Sequence, residues 1–578
     1  MAKTIAIGIQ DFGQLRENNY FYIDKTGFIR EWWDAGDSVT LITRPRRFGK
    51  TLNMSMLDYF FSNKHAGRGD LFEGLDIWKE SRYRGIQGTW PVLFLSFAGV
   101  KQTTYPNTVA AICQILANLY NQYTWMLEDP MFTKADREAF RRVNENDDVT
   151  APVAAEALMR LCQWMQRYYG KRVIVLLDEY DTPLQEAYVH GFWDELAAYV
   201  RALFNNTFKT NPYLERGLMT GITRISKESI FSDLNNLNVV TTTSREYETA
   251  FGFTQAEVFA ALREQDIPET EMEKVKQWYD GFTFGRVKDI YNPWSVTMYL
   301  DKKILDTYWA NTSGNALVSR LLREGNRETK SAFEMLLGGN TIEVKMDEQI
   351  VFSQLTKDRN AIWSLLLASG YLKVMEMLTD AGMGFSVYRL ALTNYEVKRM
   401  FARMIEEWFQ ETPDFNAFVS AMFRGDVRSM NHYMNRVALN TFSYFDTGRH
   451  PSGRKEPERF YHGFVLGLLV DKAGSYMVKS NRESGLGRYD VVMEPRDAND
   501  VAVIMEFKVF DREDGENDLA DTAVNALKQI EQKQYAADLL QRGIPAGHIL
   551  SYGFAFEGER CLIQMGGRET AVVDDRNC

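Results

Sequence analysis

Cysteine and histidine are scarce, with 4 Cys and 6 His in 578 residues. Cys113, Cys162, Cys561 and Cys578 show neither metal-ligand spacing nor a dense framework, which argues against a disulfide-stapled scaffold and fits a reducing cytosol. The scattered histidines argue against a zinc site. No apolar run reaches the roughly 20 residues that a membrane-spanning helix needs. The opening Met-Ala-Lys-Thr-Ile-Ala-Ile-Gly lacks the apolar core of a secretory leader. A cytoplasmic chain with no membrane partner is the expectation. Positive charge is also short: 67 Lys and Arg against 78 Asp and Glu leave a net charge of −11. A coat of bulk electrostatics around nucleic acid is therefore disfavoured, and any phosphate contact must come from local patches or metal-bound sites.

What is present is an ordinary globular composition, 45% hydrophobic and 25% charged. The chain is too long for one core, so about two to four domains are expected.

The most informative stretch begins at Val39. Val39, Leu41 and Ile42 read as a buried strand that breaks at Pro45 and leads to Gly49-Lys50-Thr51. Beyond it, Leu52, Met56, Leu57 and Phe60 recur at helical spacing. Strand, turn, Gly-Lys-Thr and helix form the layout of a phosphate-binding loop. Backbone N–H groups cradle phosphate oxygens, the lysine reaches the terminal phosphates and the threonine hydroxyl sits on Mg²⁺. Arg46, Arg47, Phe48, Gly49, Lys50 and Thr51 are the candidate cofactor-binding residues here. Arg44 stands where the usual pattern opens with glycine. A plain strand–helix turn, with Lys50 as a helix-start cation, is the alternative.

A second motif lies downstream. Five consecutive aliphatics, Val173 to Leu177, read as a strand buried on both faces. Asp178 and Glu179 follow at its C-terminal end, where ligands bind in open α/β sheets. Asp178 is placed to hold Mg²⁺ through water, and Glu179 to orient the attacking water. A third strand, Leu214 to Gly221, ends near Thr223 and Arg224. Thr223 is the candidate γ-phosphate sensor and Arg224 the cation that offsets charge in transfer. Together these motifs imply an ATP or GTP site.

Arg-Pro-Arg-Arg-Phe-Gly-Lys-Thr (44–51), Leu-Leu-Asp-Glu-Tyr-Asp-Thr-Pro (176–183) and Gly-Leu-Met-Thr-Gly-Ile-Thr-Arg-Ile-Ser-Lys (217–227) resemble the bacterial AAA-ATPase-like family. Trp-Tyr-Asp-Gly-Phe-Thr-Phe-Gly (278–285), Tyr-Asn-Pro-Trp-Ser-Val (291–296) and Tyr-Trp-Ala-Asn-Thr-Ser-Gly-Asn (308–315) resemble the same family. The resemblance implies that an arginine at position 44 is normal, and that a PD-(D/E)XK nuclease-like domain commonly follows. It also places residues 5–35 before the loop, with Phe12 or Tyr22 as candidates against the base and core packing as the alternative.

The expected domains are a P-loop ATPase over 1–227, a helical lid over 228–345, a winged-helix-like module over 346–447 and a nuclease-like domain over 455–578. Residues 253–300 read as helices, the first capped by Thr254 with Glu257 three positions on. A helix from Ile362 to Ser369, two short strands and a turn at Asp380–Gly384 suggest the winged module, architectural rather than DNA-reading because its recognition stretch is not notably basic. Gly448 to Pro457 is the clearest linker.

After the linker the elements run helix (Glu458–Leu469), three strands, long helix (521–541) and two strands. This αβββαβ order matches the core of the PD-(D/E)XK, restriction-endonuclease-like superfamily. Glu506 and Lys508 alternate onto one strand face, and a hairpin would bring in Asp490, sixteen positions before Glu506. Two such carboxylates suit Mg²⁺, which acidifies bound water, and Lys508 would orient that water. The resemblance adds Glu458 as a metal ligand and Gln529 as an accessory catalytic residue. The fold expectation is thus α/β: a P-loop NTPase sheet with helical lid and winged module, then a nuclease-like domain.

The function expected is an ATP-binding protein and ATPase coupled to a Mg²⁺-dependent nuclease acting on DNA or RNA, with homo-oligomer formation open. The alternative is an ATP-dependent signalling or defence switch whose nuclease-like domain binds nucleic acid or a partner without cleaving.

Overall fold

The computed structural model describes residues 3–146, 149–223, 230–231, 234–310, 316–323, 327–345, 360–379, 386–410, 415–442, 476–482, 489–512, 515–533, 535–557 and 560–567. The chain is mixed α/β and forms two compact units: Met1–Leu321 with Thr341–Val397, and Leu322–Asn340 with Lys398–Cys578.

The first unit is built on β1 (Val39–Thr43), β2 (Val92–Ser96), β3 (Val173–Asp178), β4 (Leu214–Gly221) and β5 (Leu237–Val240). They form one parallel sheet in the order β2-β3-β4-β1-β5. Every residue of β1 and β3 is buried, as expected for strands covered on both faces. Phe12, Phe28, Trp32, Leu57 and Phe60 pack with Ile42, Ile174 and Leu176 in one core. The order puts β4 between β1 and β3, so three strand ends open onto the same edge. β5 lies beyond the expected boundary at 227. Four residues, Leu-Asn-Val-Val, are too short to stand out in sequence, yet they close the sheet beside β1.

Residues 253–300 are not wholly helical. Helices Gln255–Glu264, Glu269–Tyr279 and Pro293–Lys302 surround a small sheet of β6 (Phe253–Thr254), β7 (Phe282–Phe284) and β8 (Val287–Tyr291). The hairpin forms because Phe282 and Phe284 are both buried on one face, against Phe48, with ring centroids at 4.8 and 5.3 Å. Thr254 and Glu257 do form the expected reciprocal cap. A third sheet, in the order β10-β11-β9, comprises β9 (Ile342–Lys345), β10 (Leu372–Thr379) and β11 (Ser386–Leu392), with helix Ala361–Ala368 preceding β10. β9 falls on the lid side of the boundary at 345, yet it pairs with β11.

The second unit carries β12 (Tyr476–Arg482), β13 (Tyr489–Pro495), β14 (Ala502–Val509), β15 (Ile549–Glu557) and β16 (Arg560–Met565), in sequential order. Only the β14–β15 pair is parallel. Its crossover holds helices Leu519–Gln532 and Tyr535–Gln541, where sequence suggests one helix over 521–541. Gly553 on β15 lets the first of them approach closely, because a Cβ there would collide with the Ala523 carbonyl oxygen. Helix Val427–Phe442 closes the sheet's outer edge. Asn431 exchanges two hydrogen bonds with the Ile563 backbone, at 2.8 and 2.7 Å, and Asn435 two with Cys561, at 2.7 and 3.0 Å. Side chains thus occupy edge groups that would otherwise invite another strand. These bonds group that helix with the C-terminal sheet rather than with the module expected over 346–447.

Candidate functional site

The loop after β1 turns through Arg47 at φ 65° and Gly49 at φ 78°. Left-handed backbone is ordinary for glycine and strained for arginine. Space is open where a Cβ on Gly49 would project, and Gly49 itself borders a cavity. Helix Lys50–Phe61 starts at once, with Gly49 as its N-cap. A cavity of about 670 Å³ lies over this turn, lined among others by Arg46, Arg47, Lys50, Thr51, Glu179 and Trp294. That volume is in the range of nucleotide-sized ligand sites.

Arg44 does not block the loop. Its side chain is wholly buried and turns back beneath it. The guanidinium donates to the carbonyls of Thr43 (3.0 Å), Thr241 (2.6 Å), Glu246 (3.3 Å) and Tyr247 (3.4 Å) and stacks 4.7 Å from the Phe284 ring. Burial lowers its pKa to about 9. The arginine that replaces the opening glycine is therefore an anchor between the loop, the segment after β5 and the β7–β8 hairpin.

Lys50 is buried, and its ammonium donates to the Arg44 and Pro45 carbonyls at 3.0 and 2.9 Å. Burial lowers its pKa, opposed by Glu179, Asp178 and Asp181. A buried cation resting only on carbonyl oxygens is well matched to a polyphosphate. Thr51 donates its hydroxyl to Asp178 Oδ2 at 2.7 Å, and Thr220, at the end of β4, donates to Asp178 Oδ1. Burial raises the Asp178 pKa while both hydroxyls oppose the rise. Glu179 takes φ 51°, faces the cavity and accepts from Thr182 Oγ1 at 3.1 Å.

The other expected residues fall into three groups. Phe48 is buried against Phe282 and Phe284, so only its backbone serves the loop. Phe12 stacks on Phe72 at 5.0 Å within the core, whereas Tyr22 lines the cavity. Thr223 is buried away from the cavity, bonded to Asp181, and Arg224 lies outside the described residues. Sequence reading missed Thr220, although it is the penultimate residue of β4, and Asp181, the third acid of Asp-Glu-Tyr-Asp. It also missed the work of Asn292. That side chain caps helix Pro293–Lys302 and donates to the Arg46 carbonyl at 3.3 Å, joining the helix to the loop. Beside it, the Arg47 guanidinium lies 4.5 Å over the Trp294 ring.

In the second unit, antiparallel register sets Asp490 directly opposite Glu506. Glu506 is buried and accepts from Gln529 Nε2 on helix Leu519–Gln532. Ala502 and Ile504 share its strand face and pack against Ile530, so Glu506 ends an apolar floor. Lys508, two residues on, is half-buried on the same face. The Asp490 side chain, and Glu458 altogether, lie outside the described residues. Among the described residues no three His, Cys, Asp or Glu side chains converge as a metal cluster.

Residues 6–231 match the family model described as "Predicted AAA-ATPase". Residues 456–565 match the PD-(D/E)XK nuclease superfamily. The chain thus carries an AAA-ATPase-like segment and a PD-(D/E)XK segment, the former holding β1 to β4 and the latter β12 to β16. A protein of Azotobacter chroococcum mcd 1, "Uncharacterized protein in vnfD 5'region", is 25% identical over 567 residues, covering 96% of each chain. The similarity therefore includes both segments and the region between them. Among the described residues no helix is long and apolar enough to cross a membrane.

Proposed function

We propose that the chain is an ATP-binding protein and ATPase coupled to a Mg²⁺-dependent nuclease acting on DNA or RNA. The observation that carries the first half is the Thr51–Asp178 hydrogen bond beside a buried Lys50, all beneath a nucleotide-sized cavity. Lys50 and the loop N–H groups hold the phosphates, Thr51 and Asp178 hold the metal, and Glu179 orients water. Bound Mg²⁺ would supply charge neutralisation at the phosphate oxygens. Tyr22 and residues of the N-terminal segment also line the cavity and are candidates to meet the base.

For the second half, the support is the pairing of Asp490 with Glu506 and the bond from Gln529 to Glu506. Asp490 and Glu506 would hold the divalent ion, with Glu458 as a further ligand, and Lys508 would position the attacking water. Gln529 fixes Glu506 as a positioning residue. The test is Mg²⁺-dependent cleavage of single- and double-stranded DNA and RNA by the full chain and by Asp490→Ala. Cleavage by the former and none by the latter supports the reading, and equal cleavage by both defeats the site assignment. ATP-dependent change of oligomer with no cleavage would favour the switch reading in its place.

A further inference from the structure

Arg46 lines the phosphate-loop cavity, and its Nη2 donates to Gln185 Oε1 at 3.4 Å. The other end of that amide, Nε2, donates to Asp181 Oδ2 at 3.0 Å. The same carboxylate oxygen accepts the Ile222 N–H at 3.0 Å and both the N–H and the hydroxyl of Thr223 at 2.9 Å. Asp181 and Thr223 are each 1% exposed, so this carboxylate is committed to holding the turn after β4. The approach is tight enough to require glycine at 221, where a Cβ would meet Asp181 Oδ1 at 2.8 Å. One amide therefore links a cavity arginine to the strand end beside Asp178.

Arg46 and Gln185 also line a second cavity of about 50 Å³, bounded by Thr223, Trp309 and Tyr371. Both side chains of the pair thus border open space in each cavity. A neutral amide oxygen at 3.4 Å is a weak acceptor for a guanidinium, and a charged phosphate oxygen is roughly twice as strong. A polyphosphate oxygen in the loop would compete with Gln185 for the Arg46 guanidinium.

We propose that Gln185 is a positioning residue that passes phosphate occupancy at Arg46 to the turn after β4 through Asp181, governing turnover more than nucleotide affinity. The inference rests on the ATPase reading given above. The experiment measures steady-state ATP turnover, and separately ATP and ADP affinity by calorimetry, for the full chain, Gln185→Ala and Gln185→Glu, with melting temperatures alongside. Gln185→Ala should bind both nucleotides within about twofold of wild type while kcat falls about tenfold or more. Gln185→Glu should pair with Arg46, oppose its release and weaken ATP binding about tenfold. A merely structural role would lower the melting temperature and depress affinity and turnover together, which overturns the proposal. Turnover by wild type that Gln185→Ala leaves intact overturns the inference alone. Absence of turnover by wild type overturns the ATPase reading and the inference with it.

Discussion

The Thr51 hydroxyl in the first turn of helix Lys50–Phe61 and the Asp178 carboxylate at the end of β3, 127 residues apart in sequence, meet at 2.7 Å. β4 lies between β1 and β3 and adds Thr220 to the same carboxylate. Asp178 is thus buried, raised in pKa by that burial and held on both oxygens by hydroxyls.

Replacing Asp178 by asparagine separates charge from shape. The amide keeps the volume and relieves the cost of a buried anion, so Asp178→Asn should melt at or above the wild-type temperature. ATP turnover should fall by about two orders of magnitude, the scale for losing a preorganised electrostatic group. Paired melting and turnover measurements check this. A variant that keeps turnover would detach Asp178 from the chemistry.

Glu396 yields a pH prediction. Its buried carboxylate accepts from Ser295 Oγ at 2.9 Å and from the Trp309 N–H at 2.6 Å. Burial raises its pKa from 4.5 to about 7. Between those values the folded chain holds a proton that the unfolded chain has released, so this group's contribution to stability declines as pH rises. Glu396→Gln can accept the N–H bond and donate to Ser295 without charge. Urea unfolding from pH 4.5 to 8 should show the variant gaining on wild type as pH rises, by on the order of 3 kcal/mol at most. Parallel pH profiles would contradict the assignment.

Asn431 and Asn435 together satisfy four backbone groups of β16. Alanine at both positions should destabilise the C-terminal sheet by about 2 kcal/mol or more, the scale for stranding buried polar groups. It should also promote concentration-dependent self-association through the exposed edge. Denaturant titration and light scattering read the two effects. An unaffected, monodisperse double variant would show that other contacts protect the strand.

Much of this architecture was legible in sequence, and the misses have physical causes. The aliphatic run Val173–Leu177 of β3 and the Gly49-Lys50-Thr51 turn stand out because a doubly covered strand and a tight strand–helix turn tolerate few residue types. The strand Leu214–Gly221 is readable from its apolar Leu218-Met219 centre and closing glycine, although Glu215 and Arg216 near its start are only partly buried. Register was legible too, since the Asp490–Glu506 pairing follows from a hairpin between two alternating strands. The short β5 was not, because four residues carry no periodicity and only pairing with β1 identifies them. Phe282 and Phe284 read as part of a helical region, since two aromatics acquire meaning only once Phe48 sits between them. Thr220 does not stand out in sequence, because sequence does not say where a strand ends relative to its neighbour. The parallel pairing places Thr220 level with Asp178, and Thr223 turns to Asp181.

The account stands most directly on whether the Lys50 turn receives nucleotide. Calorimetric titration of ATP with Mg²⁺ into the full chain should give saturable binding of about one nucleotide per chain, lost in Lys50→Ala while that variant still unfolds cooperatively. Wild-type protein that evolves no binding heat at several temperatures, or a Lys50→Ala variant that binds as tightly, would contradict it.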